Sequence, residues 1–274
     1  MPDDLIREFQ RFAEEMQDHP LQRPPAAGAV PTEAADAAVT DWLTAPRWVH
    51  AEFEASLLVA RALDADLSPM LVRAQRDALL TQLDPGLPPW EALTALGFAG
   101  DREDYGAIVN SRIDQVMARL RGIPISLAVL LLEASRHVGL TAMGINQPGH
   151  FLVQVEGQLV DPFNLVPLPP GPPAPPATPL AVLLRMLNNV KGHYLKALEF
   201  HRALDLVSLQ LAVAPQQAEF WCEKGDLWAR IGGYGGASRA YREALDCLPS
   251  DHPLVPRIQE RLAMVGRQNQ ETLH

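Results

Sequence analysis

His150 and Asp161 are the side chains best suited to chemistry, one on each side of the short stretch PGHFLVQVEGQLVDPF. An imidazole can take a proton from a nucleophile, and a carboxylate beside it can hold the required ring tautomer. The natural third member is a thiol at a helix N-terminus, where the helix dipole and a nearby imidazolium lower its pKa. The segment from Gly122 to Phe163 supplies the helix but contains no cysteine. Pro124 stands where that helix begins. The nearest hydroxyl is that of Ser126, two positions further on, which also suits an N-cap or first-turn role. A rotation of two helical positions turns it away from the Pro124 direction.

The elements that must position these residues are legible around them. GIPISLAVLLLEASRHVGL has apolar residues at Leu127, Leu130, Leu131, Ala134 and Val138, the spacing of a helix that buries one face. Pro124 fits its first turn, where a missing N–H costs nothing, and Gly139 fits its end. The alternating stretch that follows predicts two strands turned back on each other at Glu156-Gly157. His150 then opens the first strand and Asp161 closes the second, on neighbouring strands. Independently of any catalysis, His150 after Pro-Gly suits a loop cap, and Asp161 before Pro162 suits a strand end bonded to nearby backbone N–H groups.

GIPISLAVLLLEASRHVGL, PGHFLV and VDPF, with LGFAGDREDYGAIVNSRIDQVMARLRGIPIS upstream, resemble the transglutaminase-like domain of bacterial SirB-type proteins. The resemblance spans roughly residues 45 to 265. It implies a papain-like fold followed by tetratricopeptide repeats. Active domains of this kind are similar to a Gly-x-Cys pattern, then Arg and Gly near the helix end, then Gly-His and Asp-Pro. Laid without gaps on Arg136 and Gly139, that pattern puts the cysteine at Pro124 behind Gly122, while His150 and Asp161 match the other two members. The resemblance therefore implies an altered site, and not transamidation or proteolysis. Arg136 and His137, late in the helix, suit the dipole there and are assigned no chemistry.

The C-terminal third carries a repeat. AEFWCEKGDLWARIGGYGGASRAYREALDCLP, from Ala218 to Pro249, fits the 34-residue tetratricopeptide pattern without a gap. Small residues there let two helices approach closely, and Trp221, Trp228, Tyr234 and Tyr241 fill the space between hairpins. Lys224 stands at a position that is usually leucine, and Gly235-Gly236 weakens the start of the second helix. A degenerate earlier copy runs from Leu184 to Pro215, with Leu187, Tyr194, Ala203 and Pro215 in register, and a final amphipathic helix follows over Leu254 to Val265.

Elsewhere, Leu5, Phe9, Phe12 and Met16 share one side of a helix that needs a surface to lie on. QDHPLQRPPAAGAVP after it reads as a flexible tether, and residues 33 to 43 as an Ala-rich helix. Val49, Phe53, Leu57, Ala60 and Leu63 form a further stripe. Ser68-Pro69 predicts an N-cap and first turn, and Trp90, Leu93 and Leu96 a short helix closed by Gly97. Asn110 falls at a helix entrance, as a cap or as a polar lining residue. NLVPLPPGPPAPPATP, residues 164 to 179, predicts an extended spacer that cannot be a helix or a central strand.

Composition narrows the function. The chain has 274 residues, 47% of them hydrophobic, with 20% charged and a formal net charge of −10, which suits a globular protein and argues against nucleic acid or an anionic membrane as partner. Two cysteines offer no disulfide framework. The acidic N-terminus is unlike a signal peptide, and no run is long enough to span a bilayer, so a cytoplasmic protein is expected. HExxH, GxGxxG, Walker-type and GxSxG patterns are all missing, so neither a metal nor a cofactor is expected.

The expected fold is α+β. An N-terminal helix and tether (1–31) precede a helix-rich transglutaminase-like domain with a small antiparallel sheet (32–165), a Pro-rich linker (166–179) and α-helical tetratricopeptide repeats with a capping helix (180–274). The expected function is a transglutaminase-like regulatory module without its cysteine nucleophile, binding protein or peptide through its cleft and repeats. The candidate site residues are His150, Asp161 and Ser126 for chemistry, and Asn110, Pro124, Trp221 and Trp228 for binding. The alternative is a hydrolase or transferase with His150 as general base and Asp161 as its orienter.

Overall fold

The computed structural model describes residues 2–19, 49–147, 149–171 and 174–272. The anticipated tether after the first helix and the Ala-rich helix over 33 to 43 lie outside the described residues. The chain divides into two compact units, Glu14–Met186 and Met1–Ala13 with Leu187–His274.

The first unit is built on a central helix. It contains α2 (Ala51–Leu63), α3 (Pro69–Leu80), α4 (Pro89–Ala95), the short strand β1 (Ala99–Gly100), a 3₁₀ turn (Ile108–Ser111), α5 (Ile113–Arg119), β2 (Arg121–Gly122) and α6 (Pro124–His137). Four further strands follow: β3 (Ala142–Gln147), β4 (His150–Val155), β5 (Gln158–Asp161) and β6 (Val166–Pro167). They form one antiparallel sheet in chain order, and β1 and β2 pair separately and in parallel. The mixture is the expected α+β class, with a small antiparallel sheet.

Helix α6 differs from its sequence reading in one respect. Every residue from Ile125 to Ser135 is buried, so the helix has no solvent face. The reason is that β3 and β4 pack on it from one side while α2, α4 and α5 pack on it from others. A helix enclosed in this way needs apolar residues all round, which the LAVLLL run supplies. Pro124 occupies the first helical position, as its lack of an N–H allows. Across from it, β4 turns its alternate residues Phe151, Val153 and Val155 into the core and leaves His150 exposed.

The turn between β4 and β5 is the one foreseen. Glu156 and Gly157 have φ of 46° and 81°, and Val155 pairs with Gln158 across them. Positive φ at both central positions is the tight hairpin geometry that follows the sheet twist. Ser68 sits at the N-cap of α3 with Pro69 behind it, yet its hydroxyl makes no capping bond. Gly97, at φ 96°, ends α4.

The Pro-rich run is partly tied to this sheet. Its first part supplies β6, at the edge where a missing N–H is tolerated. Further along, Ala177 N–H donates to Gly144 O at 2.7 Å, and Pro176 bridges Ile145.

The second unit is helical. The later part of α7 (Pro179–Lys196) is followed by α8 (Phe200–Val213), α9 (Ala218–Arg230), α10 (Tyr234–Asp246) and α11 (Val255–Thr272). Successive helices from α8 onward pack on one another. Close approach depends on glycine: a Cβ on Gly225 would lie 2.5 Å from the Tyr241 ring. Gly236, expected only to weaken α10, is the seat of the Trp228 indole, which a Cβ there would meet at 2.7 Å. Polar ties complete the stack. Buried Lys191 reaches Gln210 Oε1 at 2.8 Å and Glu223 Oε2 at 2.5 Å, while Asp226 accepts from the Tyr241 hydroxyl at 2.6 Å and from Arg261 at 2.8 Å. The opening helix α1 (Asp3–Gln17) buries Leu5, Phe9, Phe12 and Met16, and its residues up to Ala13 belong to this unit.

Candidate functional site

Pro124, His150 and Asp161 line one open cleft of about 550 Å³ in the first unit. Tyr105, Gln147, Gly149, Phe151, Leu152, Phe163, Asn164 and Leu168 complete the wall. Local chain geometry accounts for each wall. Helix α6 brings Pro124 by its first turn. Strand β4 opens at His150, just after Gly149 at φ 78°. The turn after β5 brings Phe163, whose ring rests on Gly100, where a Cβ would collide at 2.4 Å. Phe163 also accepts Gly100 N–H on its carbonyl at 3.0 Å, which ties the turn after β5 to β1.

His150 and Asp161 lie on one face of the sheet but are not directly opposed. Val153 pairs with Val160, so Leu152 faces Asp161 and His150 is the diagonal neighbour. The Asp161 carboxylate is used locally: it accepts Phe163 N–H at 2.8 Å, Asn164 N–H at 3.4 Å and the Asn164 side-chain amide. Among the described residues no hydrogen bond joins it to His150. The imidazole is exposed at the cleft mouth.

The other sequence candidates lie elsewhere. Ser126 is fully buried; its Oγ accepts Ile123 N–H and donates to Ile123 O, both at 3.1 Å, and it packs under Gly122. Asn110 is also fully buried. Its amide donates to Asp104 O at 2.8 Å and accepts from Arg119 at 3.0 Å, and Arg119 in turn holds Asp101. The Asp104 N–H, donating to Asp101 Oδ1 at 3.0 Å, and then the Arg119 guanidinium hold the Asp101 carboxyl below its usual range against the effect of burial, and the same bonds fix the loop that carries Tyr105. Trp221 donates its indole N–H to Pro215 O at 2.8 Å with Lys224 over its ring, and Trp228 packs into the helical core. Neither lines the groove of about 190 Å³ bounded by Cys222, Glu223, Asp226 and Arg257.

Arg136 has a larger role than a favourable charge at a helix end. It is buried and pairs with Glu52 at 2.7 Å, while also donating to Val49 O at 2.8 Å. One turn earlier, buried Glu133 meets His50 at 2.7 Å and Arg76 at 3.4 Å. Burial works against the charged form of Glu52, yet the guanidinium beside it holds its carboxyl below the ordinary value. Burial also depresses His19, near the same pair, to about 4. The sequence signal for this cluster was a Glu and an Arg three residues apart inside an otherwise apolar helix. Its partners are 83 and 84 residues away in the chain, beyond the reach of local patterning.

With this geometry in view, the relatives can be placed. The Transglutaminase-like superfamily model matches residues 91–166, which include every wall of the cleft except Leu168. A UPF0162 protein of Xylella fastidiosa is 30% identical over 245 residues, covering 72% of this chain and 84% of its own length. The chain belongs to the UPF0162 family. Another UPF0162 protein, from Vibrio cholerae, is 42% identical over 71 residues, 26% of each chain. F-box only protein 21 of Mus musculus is 27% identical over 127 residues, 43% of this chain and 20% of its own. No solved structure matches. Among the described residues of this UPF0162 protein no three His, Cys, Asp or Glu side chains are grouped to hold a metal, and no helix is long and apolar enough to cross a membrane.

Proposed function

We propose that this UPF0162 protein is a regulatory, cytoplasmic protein-binding module of the SirB type, whose transglutaminase-like cleft recognises peptide without a thiol nucleophile. The observation that carries the reading is the composition of the cleft wall. Pro124 stands at the head of α6 in the cleft that His150 overlooks, and Tyr105 is the one hydroxyl among the lining residues, with no Ser, Thr or Cys. A covalent acyl-transfer step needs a nucleophile within hydrogen-bond reach of its base. The hydroxyl of Ser126 is spent on the Ile123 backbone, and Asp161 is occupied by its own turn. The C-terminal hairpins act as tetratricopeptide repeats that offer a binding surface of their own. The seating of Tyr241 on Gly225 and of Trp228 on Gly236 supports this, since close hairpin packing is what such repeats require.

The test is turnover by the full chain on glutamine-containing peptides with a primary amine. Ammonia release and amine incorporation are expected to equal the buffer background, in the native protein and in His150→Ala alike. Ammonia release that His150→Ala abolishes at unchanged melting temperature would replace this reading with general-base hydrolysis.

A further inference from the structure

We propose that the cleft takes an extended peptide segment bearing carboxylate side chains, gripped by Arg185 and Arg102; the inference rests on the cleft being a binding site. In a chain of net charge −10, two arginines bordering one cleft with no acidic partner among the described residues need explaining. Arg185 is half-buried, lies over the face of Phe151 at 5.6 Å, and donates through one terminal nitrogen to the Asn146 side chain and, at 3.2 Å, to Gln147 O. Arg102 lies over the face of Phe163 at 5.3 Å and donates to the Asn164 side chain. Phe151, Gln147, Phe163 and Asn164 all line the cleft.

Among the described residues neither guanidinium pairs with a carboxylate. A guanidinium carries five N–H donors in a rigid fork that matches a carboxylate edge. Each arginine is thus fixed by an aromatic face and an amide oxygen while most of its donors remain unspent. Tyr105 lines the same cleft, and its ring meets Phe163 edge-on at 5.7 Å. The head of α6 at Pro124 adds the positive end of a helix dipole to the same space. The one acid among the described lining residues, Asp161, has its oxygens turned to the Phe163 and Asn164 N–H groups of its own turn. The size and the aromatic and apolar wall favour several residues of chain over a small inorganic anion.

The experiment is fluorescence anisotropy with the full protein and a labelled, end-blocked ten-residue peptide of alternating Glu and Gly, against the same peptide with Gln for Glu. The acidic probe is expected to bind at least about tenfold tighter, and to weaken as salt is raised. Arg185→Gln and Arg102→Gln are each expected to lose about tenfold. Arg102 is exposed, so its variant folds whatever the half-buried Arg185 does. Equal binding of both probes would overturn the carboxylate reading while leaving the cleft as a binding site. So would displacement of the acidic probe by inorganic phosphate at matching concentration. Binding of neither probe at millimolar peptide would overturn both.

Discussion

Replacing Pro124 by cysteine tests directly whether this residue holds the place of a nucleophile. The new thiol would stand at the first position of a 14-residue helix, in the cleft overlooked by His150. A helix dipole contributes about 0.3–1 kcal/mol near its end, which at about 1.36 kcal/mol per unit lowers a thiol pKa by about 0.2–0.7. Starting from about 8.5, the thiol should titrate between about 7.8 and 8.3. Iodoacetamide alkylation followed by mass spectrometry across pH 6 to 10 measures this. The midpoint is the quantity to read, since a more acidic thiol is also intrinsically less nucleophilic and the two effects on rate partly cancel. The protein carries its own references: burial pushes the Cys222 and Cys247 thiols up, so both should titrate above the new one. A midpoint for Cys at this position equal to or above those of Cys222 and Cys247 would show that the head of α6 is not an activating position, and the argument from Pro124 would fail.

Two further outcomes concern stability. Glu52→Gln leaves Arg136 buried without its main partner, a loss of about 3 kcal/mol in urea unfolding, at the low end for a broken buried pair because Glu133 still faces the cation; a loss under about 1 kcal/mol would contradict the burial argument. Glu52 is held below its ordinary value of 4.5 and His19 below 6.5, so in both the unfolded chain binds protons first as pH falls. Native stability should therefore decline from about pH 6.5 downward as His19 protonates in the unfolded state, and further below 4.5, and Glu52→Gln should flatten the lower part of that decline. In α10 and its partner, Gly225→Ala drives a methyl into the Tyr241 ring and should cost about 1–3 kcal/mol, whereas Gly235→Ala, with nothing within 4 Å, should gain about 0.5–1 kcal/mol; thermal melts of the two variants should move in opposite directions.

Much of the fold was legible because its signals are local. The alternation of β4 and β5 and the Glu156-Gly157 turn depend on neighbours a few residues apart, and so do the start of α6 at Pro124 and the end of α4 at Gly97. The site was legible only in part. Spacing placed His150 and Asp161 on adjacent strands, and the structure puts both on one cleft wall with Pro124. What spacing cannot give is the register, which sets His150 diagonal to Asp161 and turns the carboxylate into its own loop. Nor could it give the aromatic and cationic rim, since Tyr105, Phe163 and Arg185 come from segments far apart in the chain. The enclosure of α6 was missed for a related reason. A run apolar on every side has no periodicity to distinguish its faces.

The placement of charge along α6 separates the work of holding the fold from the work of the cleft. Glu133 and Arg136 lie 9 and 12 residues beyond Pro124, which at about 1.5 Å per residue puts the ion pairs ~14–18 Å from the cleft end. Arg136 to Glu52 and Val49 O, with Glu133 to His50 and Arg76, clamp the far half of the helix to α2 and α3. The head of the helix, by contrast, is held by apolar packing and by the Ser126 bonds to Ile123. A substitution at the cleft can therefore change the cleft without touching the charges that fix the helix. Conversely, loss of the Glu52–Arg136 pair should lower the melting temperature while the surviving folded molecules keep their affinity for an acidic peptide. Measuring both quantities on Glu52→Gln decides the matter: if affinity falls in proportion to stability at temperatures where the protein remains folded, the two ends of α6 are coupled and this separation is wrong.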